Sequence, residues 1–158
     1  MQKYILSVVV KNNSGVLARV SSLFGRRGFN IDSLTVSETN SSDISRMSII
    51  VQGDEATLEQ IIKQVSKLEE TISVEQLWED ESYCKELLFV KLTADTAQVK
   101  ESIREIAEVY NASVVQSSLD CIIVELTEVP SRIEAFLNVI SHFDIIEMCR
   151  SGVTAMIK

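Results

Sequence analysis

The 158-residue sequence is poor in the residues that most catalytic and metal sites use. It contains a single His (His142), one Pro, one Trp and three Cys. One imidazole excludes His-rich metal sites and a pair of imidazole catalysts. Cys84, Cys121 and Cys149 are dispersed and form no C-x-x-C pair, which disfavours a disulfide framework or a zinc ribbon. Three such thiols are typical of small core residues in a protein of the reducing cytoplasm.

Long apolar runs and an excess of positive charge are also missing. No segment approaches the roughly 20 apolar residues of a membrane-spanning helix, so we expect a soluble cytoplasmic protein. Fifteen basic and 23 acidic side chains give a net charge of −8, which disfavours binding to nucleic acid or to an anionic membrane. Residues 1–78 carry eight basic and nine acidic side chains, net −1, so almost all of the acid excess falls in residues 79–158, net −7.

The sequence also lacks familiar catalytic motifs. It has no G-x-S-x-G, H-E-x-x-H or G-x-x-x-x-G-K-[ST] motif. Adjacent carboxylates occur at residues 69–70 and 79–81, where a solvated surface is the default interpretation. We therefore predict no catalytic residue, no metal ligand and no cofactor on this chain.

What the sequence does contain is a regular alternation of strand and helix patterns. The first half reads β-α-β-β-α-β, the ferredoxin-like pattern. The predicted strands cover residues 4–10, 29–36, 47–51 and 72–77, and the predicted helices have apolar stripes over residues 16–24 and 58–68.

The same order recurs after an acidic, turn-prone segment. The second set of predicted strands covers residues 87–92, 113–115, 121–126 and 145–149, the last with an extension over residues 153–157. Helical stripes fall over residues 99–110 and after Pro130. We predict an α+β protein of two tandem ferredoxin-like βαββαβ domains, residues 1–78 and 86–158, joined by a linker over residues 79–85.

The turn between the first strand and the first helix is a candidate binding site. Free N–H groups at a helix start attract a carboxylate, and Gly15 allows a ligand to approach the backbone. Asn12 offers a donor and an acceptor, which suit a free amino acid, and Asn30 is expected near the same end of the sheet. Ordinary capping of the helix by Asn13 or Ser14 is the alternative interpretation of this turn.

Several segments closely resemble one protein family, the small, regulatory subunit of acetolactate synthase, also called acetohydroxyacid synthase. The first domain resembles its ACT domain, a βαββαβ module that binds amino acids. The resemblance is strongest over residues 12–24 (NNSGVLARVSSLF), 26–36 (RRGFNIDSLTV) and 45–51 (SRMSIIV), and it extends to residues 58–64 (LEQIIKQ) and 150–153 (RSGV).

The resemblance implies a subunit without catalytic activity of its own. Its partner would be a large catalytic subunit that uses thiamine diphosphate, magnesium and FAD to condense pyruvate with pyruvate or 2-oxobutanoate. That reaction is the first common step of valine, leucine and isoleucine synthesis. The small subunit would raise the activity of the large subunit and make it sensitive to feedback inhibition by valine or a related amino acid.

The resemblance also implies an effector site between the ACT domains of a homodimer. Asn12, Gly15 and Asn30 match the family's pocket residues. The further matches are Val16 and Leu17, together with Ile31 and Asp32 from the neighbouring chain. The residue after Asn12 is often acidic in the family and is Asn here, a difference that bears on the affinity for the effector.

Two other functions are compatible with parts of the pattern. A free-standing sensor with tandem ACT-like domains would share the fold and the ligand but would act on another enzyme or on gene expression. The sequence lacks a basic helix, which disfavours direct DNA binding. A small enzyme is the third hypothesis, and the missing catalytic motifs argue against it.

Overall fold

A computed structural model of the chain describes residues 2–158. The first six elements alternate in the predicted order β-α-β-β-α-β. They are β1 (Gln2–Lys11), α1 (Val16–Arg26), β2 (Ile31–Glu38), β3 (Ile44–Gly53), α2 (Glu55–Val65) and β4 (Thr71–Leu77).

The next six elements repeat that order, and a short strand follows them. They are β5 (Ser82–Thr93), α3 (Ala97–Tyr110), β6 (Ser113–Ser117), β7 (Cys121–Glu128), α4 (Pro130–Ile140) and β8 (Ile145–Arg150), followed by β9 (Thr154–Ile157). The predicted α+β class with two βαββαβ units is confirmed.

The chain forms two compact units whose boundaries differ from a simple division along the sequence. One unit extends to Tyr83 and also includes Val153–Lys158, whereas the other is Cys84–Gly152. β5 is one strand from Ser82, so the end of the predicted linker is in regular structure. The segment predicted to extend the last strand is a separate strand, β9, because Gly152 interrupts the chain with a φ of +80°.

The first unit is an antiparallel sheet in the order β2-β3-β1-β4, with helices packed on one face. β1 lies centrally and pairs with β3 from Gln2 opposite Gly53 to Lys11 opposite Ile44. Alternate side chains of β1 point to the helices, as the period of two requires. The core consists of Tyr4, Leu6, Val8 and Val10 of β1, Val16, Val20, Leu23 and Phe24 of α1, Met47, Ile49 and Val51 of β3, and Leu58, Ile61 and Val65 of α2.

Gly28 follows the end of α1 and reverses the chain. It has a φ of +72°, and the backbone N–H of Phe29 donates to the carbonyl of Phe24 at 3.0 Å. This is the reversal by which a left-handed glycine satisfies the last carbonyls of a helix. The reversal directs the chain from α1 into β2, whose first residue is Ile31.

The second unit has the corresponding strand order β6-β7-β5-β8, and β9 also pairs with β5. Its core is formed by side chains of β5, β7, α3 and α4, with Phe136 fully buried and stacked edge-on against Tyr110 at a centroid distance of 5.3 Å. Pro130 occupies the first turn of α4 as predicted, where its missing N–H breaks no hydrogen bond.

Among residues 2–158, every helix falls short of the length and apolar character of a membrane-spanning segment.

Removing the Phe136 ring should destabilise the second unit severely. We expect Phe136→Ala to lower the free energy of unfolding by about 3–5 kcal/mol, the usual cost of an aromatic-sized cavity. The control is Leu119→Ala, whose side chain is 91% exposed and whose loss should change stability by less than about 0.5 kcal/mol. Urea denaturation followed by circular dichroism measures both values, and equal effects of the two substitutions would contradict the described core.

Candidate functional site

The turn after β1 is fastened to the loop between β2 and β3. The backbone N–H of Asn12 donates to the carbonyl of Asp43 at 2.7 Å, and its side-chain Nδ2 donates to the carbonyl of Ser42 at 2.7 Å. These two bonds use the backbone N–H of Asn12 and one of the two N–H donors of its side-chain amide. The Oδ1 of Asn12 remains as an acceptor on an exposed residue.

The start of α1 differs from the predicted cap. Neither Asn13 nor Ser14 caps the helix: Gly15 is the N-cap residue, in a left-handed conformation with φ of +85°, and no side chain accepts from the first turn. The two polar residues precede the N-cap, and capping requires the side chain of the N-cap residue itself. The backbone N–H of Val16 donates instead to the carbonyl of Asn13 at 3.3 Å.

The uncapped first turn suits a negatively charged group. No acidic side chain lies in the first turn of α1, so nothing on the helix neutralises the positive end of its dipole. A Cβ built on Gly15 would meet no atom within 4 Å, which describes open space beside the backbone. N–H groups at such a helix start bind carboxylates or phosphates.

Val16 and Leu17 have different roles in this turn. Val16 is 4% exposed and belongs to the core, so only its backbone can face a ligand. Leu17 is 43% exposed and presents an apolar side chain at the surface beside the helix start. Of the two, Leu17 is the residue that can contact the hydrocarbon part of a ligand.

Asn30, Ile31 and Asp32 form a second cluster at the start of β2. Nδ2 of Asn30 donates to Oδ1 of Asp32 at 2.9 Å, and Nε2 of Gln52 donates to Oδ2 of the same carboxylate at 2.7 Å. Ile31 is half-buried and packs against the edge of the core. Asn30 and Asp32 are exposed, so the cluster offers polar groups and one partly covered apolar side chain.

The two clusters lie at opposite ends of the first sheet, contrary to the expectation for Asn30. Tyr4 and Ile31 both lie opposite Val51, whereas Lys11, which precedes Asn12, lies opposite Ile44. The seven-residue step from Tyr4 to Lys11 corresponds to about 23 Å along a strand. β1 and β2 each pair antiparallel with β3, so the end of β1 and the start of β2 cannot meet within one chain.

Sequence reasoning missed two features beside the turn. The hydrogen bonds from Asn12 to Ser42 and Asp43 depend on the register of β1 against β3, which the sequence does not show. Arg19, one turn into α1, forms an ion pair with Glu70, which precedes β4. An i to i+51 pair leaves no periodic signal in the sequence.

In the second unit, the R-S-G-V segment has structural contacts. Nη1 of Arg150 donates to Glu134 at 2.8 Å, and Nη2 donates to the buried carboxylate of Glu86. Burial opposes the charge of the guanidinium, but its hydrogen bonds to the two carboxylates outweigh that effect and raise the pKa of Arg150. The segment anchors β8 within its unit, and we place no ligand there.

Over residues 2–158, no group of three or more His, Cys, Asp or Glu side chains is arranged to hold a metal ion.

Comparisons with known proteins point to one family over nearly the whole chain. Residues 6–73 match the model of the AHAS small subunit-like ACT domain, and residues 85–158 match the model described as the small subunit of acetolactate synthase.

Relatives and a solved structure agree with these models. The chain is 41% identical over 156 residues to a probable acetolactate synthase small subunit of Archaeoglobus fulgidus, covering 99% of this chain and 97% of the relative. It is 43% identical over 153 residues to the acetolactate synthase small subunit of Mycolicibacterium smegmatis, covering 97% and 89%. The crystal structure of the acetolactate synthase small subunit from Thermotoga maritima superposes with a TM-score of 0.87 at 34% identity, covering 100% of this chain and 98% of that one.

Adding a methyl group to Gly15 should destabilise the turn through its backbone alone. Because the added Cβ meets no atom within 4 Å, the expected loss is the cost of a left-handed L-residue, about 1–2 kcal/mol in the free energy of unfolding. Gly25→Ala is the matched control, since Gly25 lies inside α1 with equally open surroundings and should gain about 0.5–1 kcal/mol. Thermal or urea denaturation measures both, and a gain in stability from Gly15→Ala would exclude the described turn.

Proposed function

Because the chain belongs to the family of acetolactate synthase small subunits, the regulatory subunits of that enzyme, we propose that it binds a branched-chain amino acid, valine or a close relative, between two copies of itself. Binding would then control the large catalytic subunit with which a small subunit works. The observation that carries this proposal is the uncapped, acid-free start of α1 beside the open backbone of Gly15. It is a site for a carboxylate that no side chain of the helix fills.

The opposite placement of the two clusters supports a site made by two copies. β2 is an edge strand of the first sheet, so a second copy can pair with it. Far from Asn30, β2 ends at Glu38, which lies opposite Ser45 and close to the loop that holds Asn12. If two β2 strands pair antiparallel about a twofold axis, the Asn30 cluster of one copy approaches the Asn12 turn of the other.

The chemistry of the joined clusters matches a free amino acid. The carboxylate of the effector would accept from the first-turn N–H groups beside Gly15, with its charge favoured by the helix dipole. Oδ1 of Asn12 and the carboxylate of Asp32 from the second copy would accept from the ammonium group. Leu17 and the second copy's Ile31 would cover the isopropyl group.

The apolar part of this site defines a class of effector. A hydrophobic pocket distinguishes ligands that differ by one methylene by only ~1–3 kcal/mol. Valine, leucine and isoleucine are therefore all candidates, with valine first because the family resemblance favours it. The exposed Asn at position 13, where relatives often have an acid, adds no charge near the carboxylate.

A site shared by two copies provides a physical route to regulation. The effector would bind most tightly to the arrangement of the dimer in which it contacts both clusters. It would shift the population of dimers toward that arrangement, to an extent set by the difference between its affinities for the two arrangements. The catalytic subunit, with thiamine diphosphate, magnesium and FAD, would respond to that arrangement. This chain would supply binding and geometry while the reaction stays on its partner.

If the site is divided between two copies, two variants that each fail to bind valine should restore binding when they form a mixed dimer. Asn12→Ala and Asn30→Ala should each abolish the thermal stabilisation by valine, which should reach ~2.7 kcal/mol at a hundredfold excess over Kd for the unmodified chain. When the variants are co-expressed, each mixed dimer has one site with both Asn residues intact. Random assortment therefore restores about one quarter of all sites, countable by isothermal titration calorimetry.

A matched control is Asn138→Ala, an exposed asparagine of α4 that should leave valine binding unchanged. If each site used Asn12 and Asn30 of the same copy, co-expression would restore no sites, and the shared site would be excluded. If all three branched-chain amino acids fail to stabilise the unmodified chain at millimolar concentration, the effector proposal itself fails.

Reconstitution with a large subunit tests the regulatory role. We expect the purified chain to increase acetolactate formation by a large subunit supplied with thiamine diphosphate, Mg²⁺ and FAD, and we expect valine to inhibit the reconstituted enzyme. Acetolactate formation and co-elution on a sizing column are the two measurements. A chain that binds valine but neither co-elutes with nor stimulates the large subunit would favour the free-standing sensor.

A further inference from the structure

The face of the first sheet opposite the helices carries a row of buried apolar side chains and a row of buried serines. The register places Ile50, Ile5 and Leu77 in one row across β3, β1 and β4, and all three are buried. The next row contains Ser48 and Ser7, which are also buried. Neither α1 nor α2 covers this face, because the side chains that contact those helices occupy the alternate positions of β1 and β3.

Residues 153–158 belong to the same unit and reach this face. Val153 is fully buried and Ala155 is 2% exposed. The backbone N–H of Ala155 donates to Oγ of Ser48 at 3.3 Å, which fastens β9 to the second of the two rows. The small Ser48 side chain allows that approach, because a larger residue would hold the strand away from the sheet.

The far end of the segment is fastened within the same unit. The backbone N–H of Lys158 donates to the carbonyl of Glu81 at 3.1 Å, and its ammonium group donates to the carbonyl of Asp80. The ammonium also lies over the Tyr83 ring, 5.8 Å from its centroid. The segment is therefore held at Ala155 and again at Lys158, and between these points β9 pairs with β5, the strand that begins at Ser82.

The residues just before the segment are fixed to the second unit. Arg150 is paired with Glu86 and Glu134, and Ser151 exchanges two hydrogen bonds with Leu87, both 3.0 Å long. The chain then turns at Gly152, where φ is +80°. The transition from one unit to the other is thus confined to a single left-handed glycine.

We propose that Val153–Lys158 is a strap that completes the first unit, so that Cys84–Gly152 is an insertion fastened to the first unit at both of its ends. The bond of Ala155 to Ser48 and the bonds of Lys158 to Asp80 and Glu81 support this assignment, as does the grouping of the segment with the residues up to Tyr83. A module cut after Trp78 or Tyr83 lacks this cover on its second face. The strap needs no effector and no partner, and it is independent of the function proposed above.

Hydrogen exchange of the full chain tests the strap. We expect Val153→Ser to accelerate amide exchange in β1 and β3 by about tenfold, the change that follows the loss of about 1.4 kcal/mol of local stability. Peptides from β7 in the second unit serve as the internal reference and should change less. A chain that ends at Gly152 should show the same pattern with a larger effect.

The matched control is Ile157→Ser, because Ile157 lies on the same segment but is 51% exposed. It should leave exchange in β1 and β3 close to that of the unmodified chain. Ser48→Ala, which removes the acceptor for Ala155 without shortening the chain, should raise exchange at Ala155 and at β3. Unchanged exchange in β1 and β3 after Val153→Ser, or an equal rise in β7, would overturn the assignment of the strap to the first unit.

Discussion

The antiparallel pairing of β3 with both of its neighbours is the constraint on which the candidate site depends. It makes β1 and β2 parallel, so that the end of β1 and the start of β2 lie at opposite ends of the sheet. In the proposed site, the Asn12 turn and the Asn30 cluster would each supply only part of what binds the amino acid. A site made from both would need a second copy, and this geometric need would link ligand binding to association of the chains.

The N-terminus of α1 gives the candidate site its preference for a negatively charged group. In most helices a Ser, Thr, Asp or Asn satisfies the first N–H groups, as Asp54 does for α2 and Thr96 for α3. α1 has Gly15 in that position and no side-chain acceptor. α4, whose N-cap residue is Val129, also lacks a side-chain cap. What distinguishes the first helix is the glycine at its N-cap, which leaves open space beside the positively polarised end of the helix.

Much of the fold could be predicted from periodicity, because each apolar stripe is a local property of its own segment. The apolar stripe of residues 16–24 predicts a helix, and the alternation of Met47, Ile49 and Val51 predicts a strand. The structure confirms both as α1 and β3. The location of Asn30 could not be obtained similarly, since it depends on which strands are neighbours. Whether Asn13 or Ser14 caps the helix depends on the exact residue at which the helix begins. The sequence pattern does not locate that residue to within one position.

The grouping of Val153–Lys158 with the first unit has a consequence for biosynthesis. The N-terminal part of a chain leaves the ribosome first, and domains usually fold in the order in which they emerge. Here β1 to β4 are synthesised first, and the whole of Cys84–Gly152 is synthesised between them and Val153. If the segment is the proposed strap, the first unit lacks its bond from Ala155 to Ser48 during that interval and reaches its final form only after the second unit has been made.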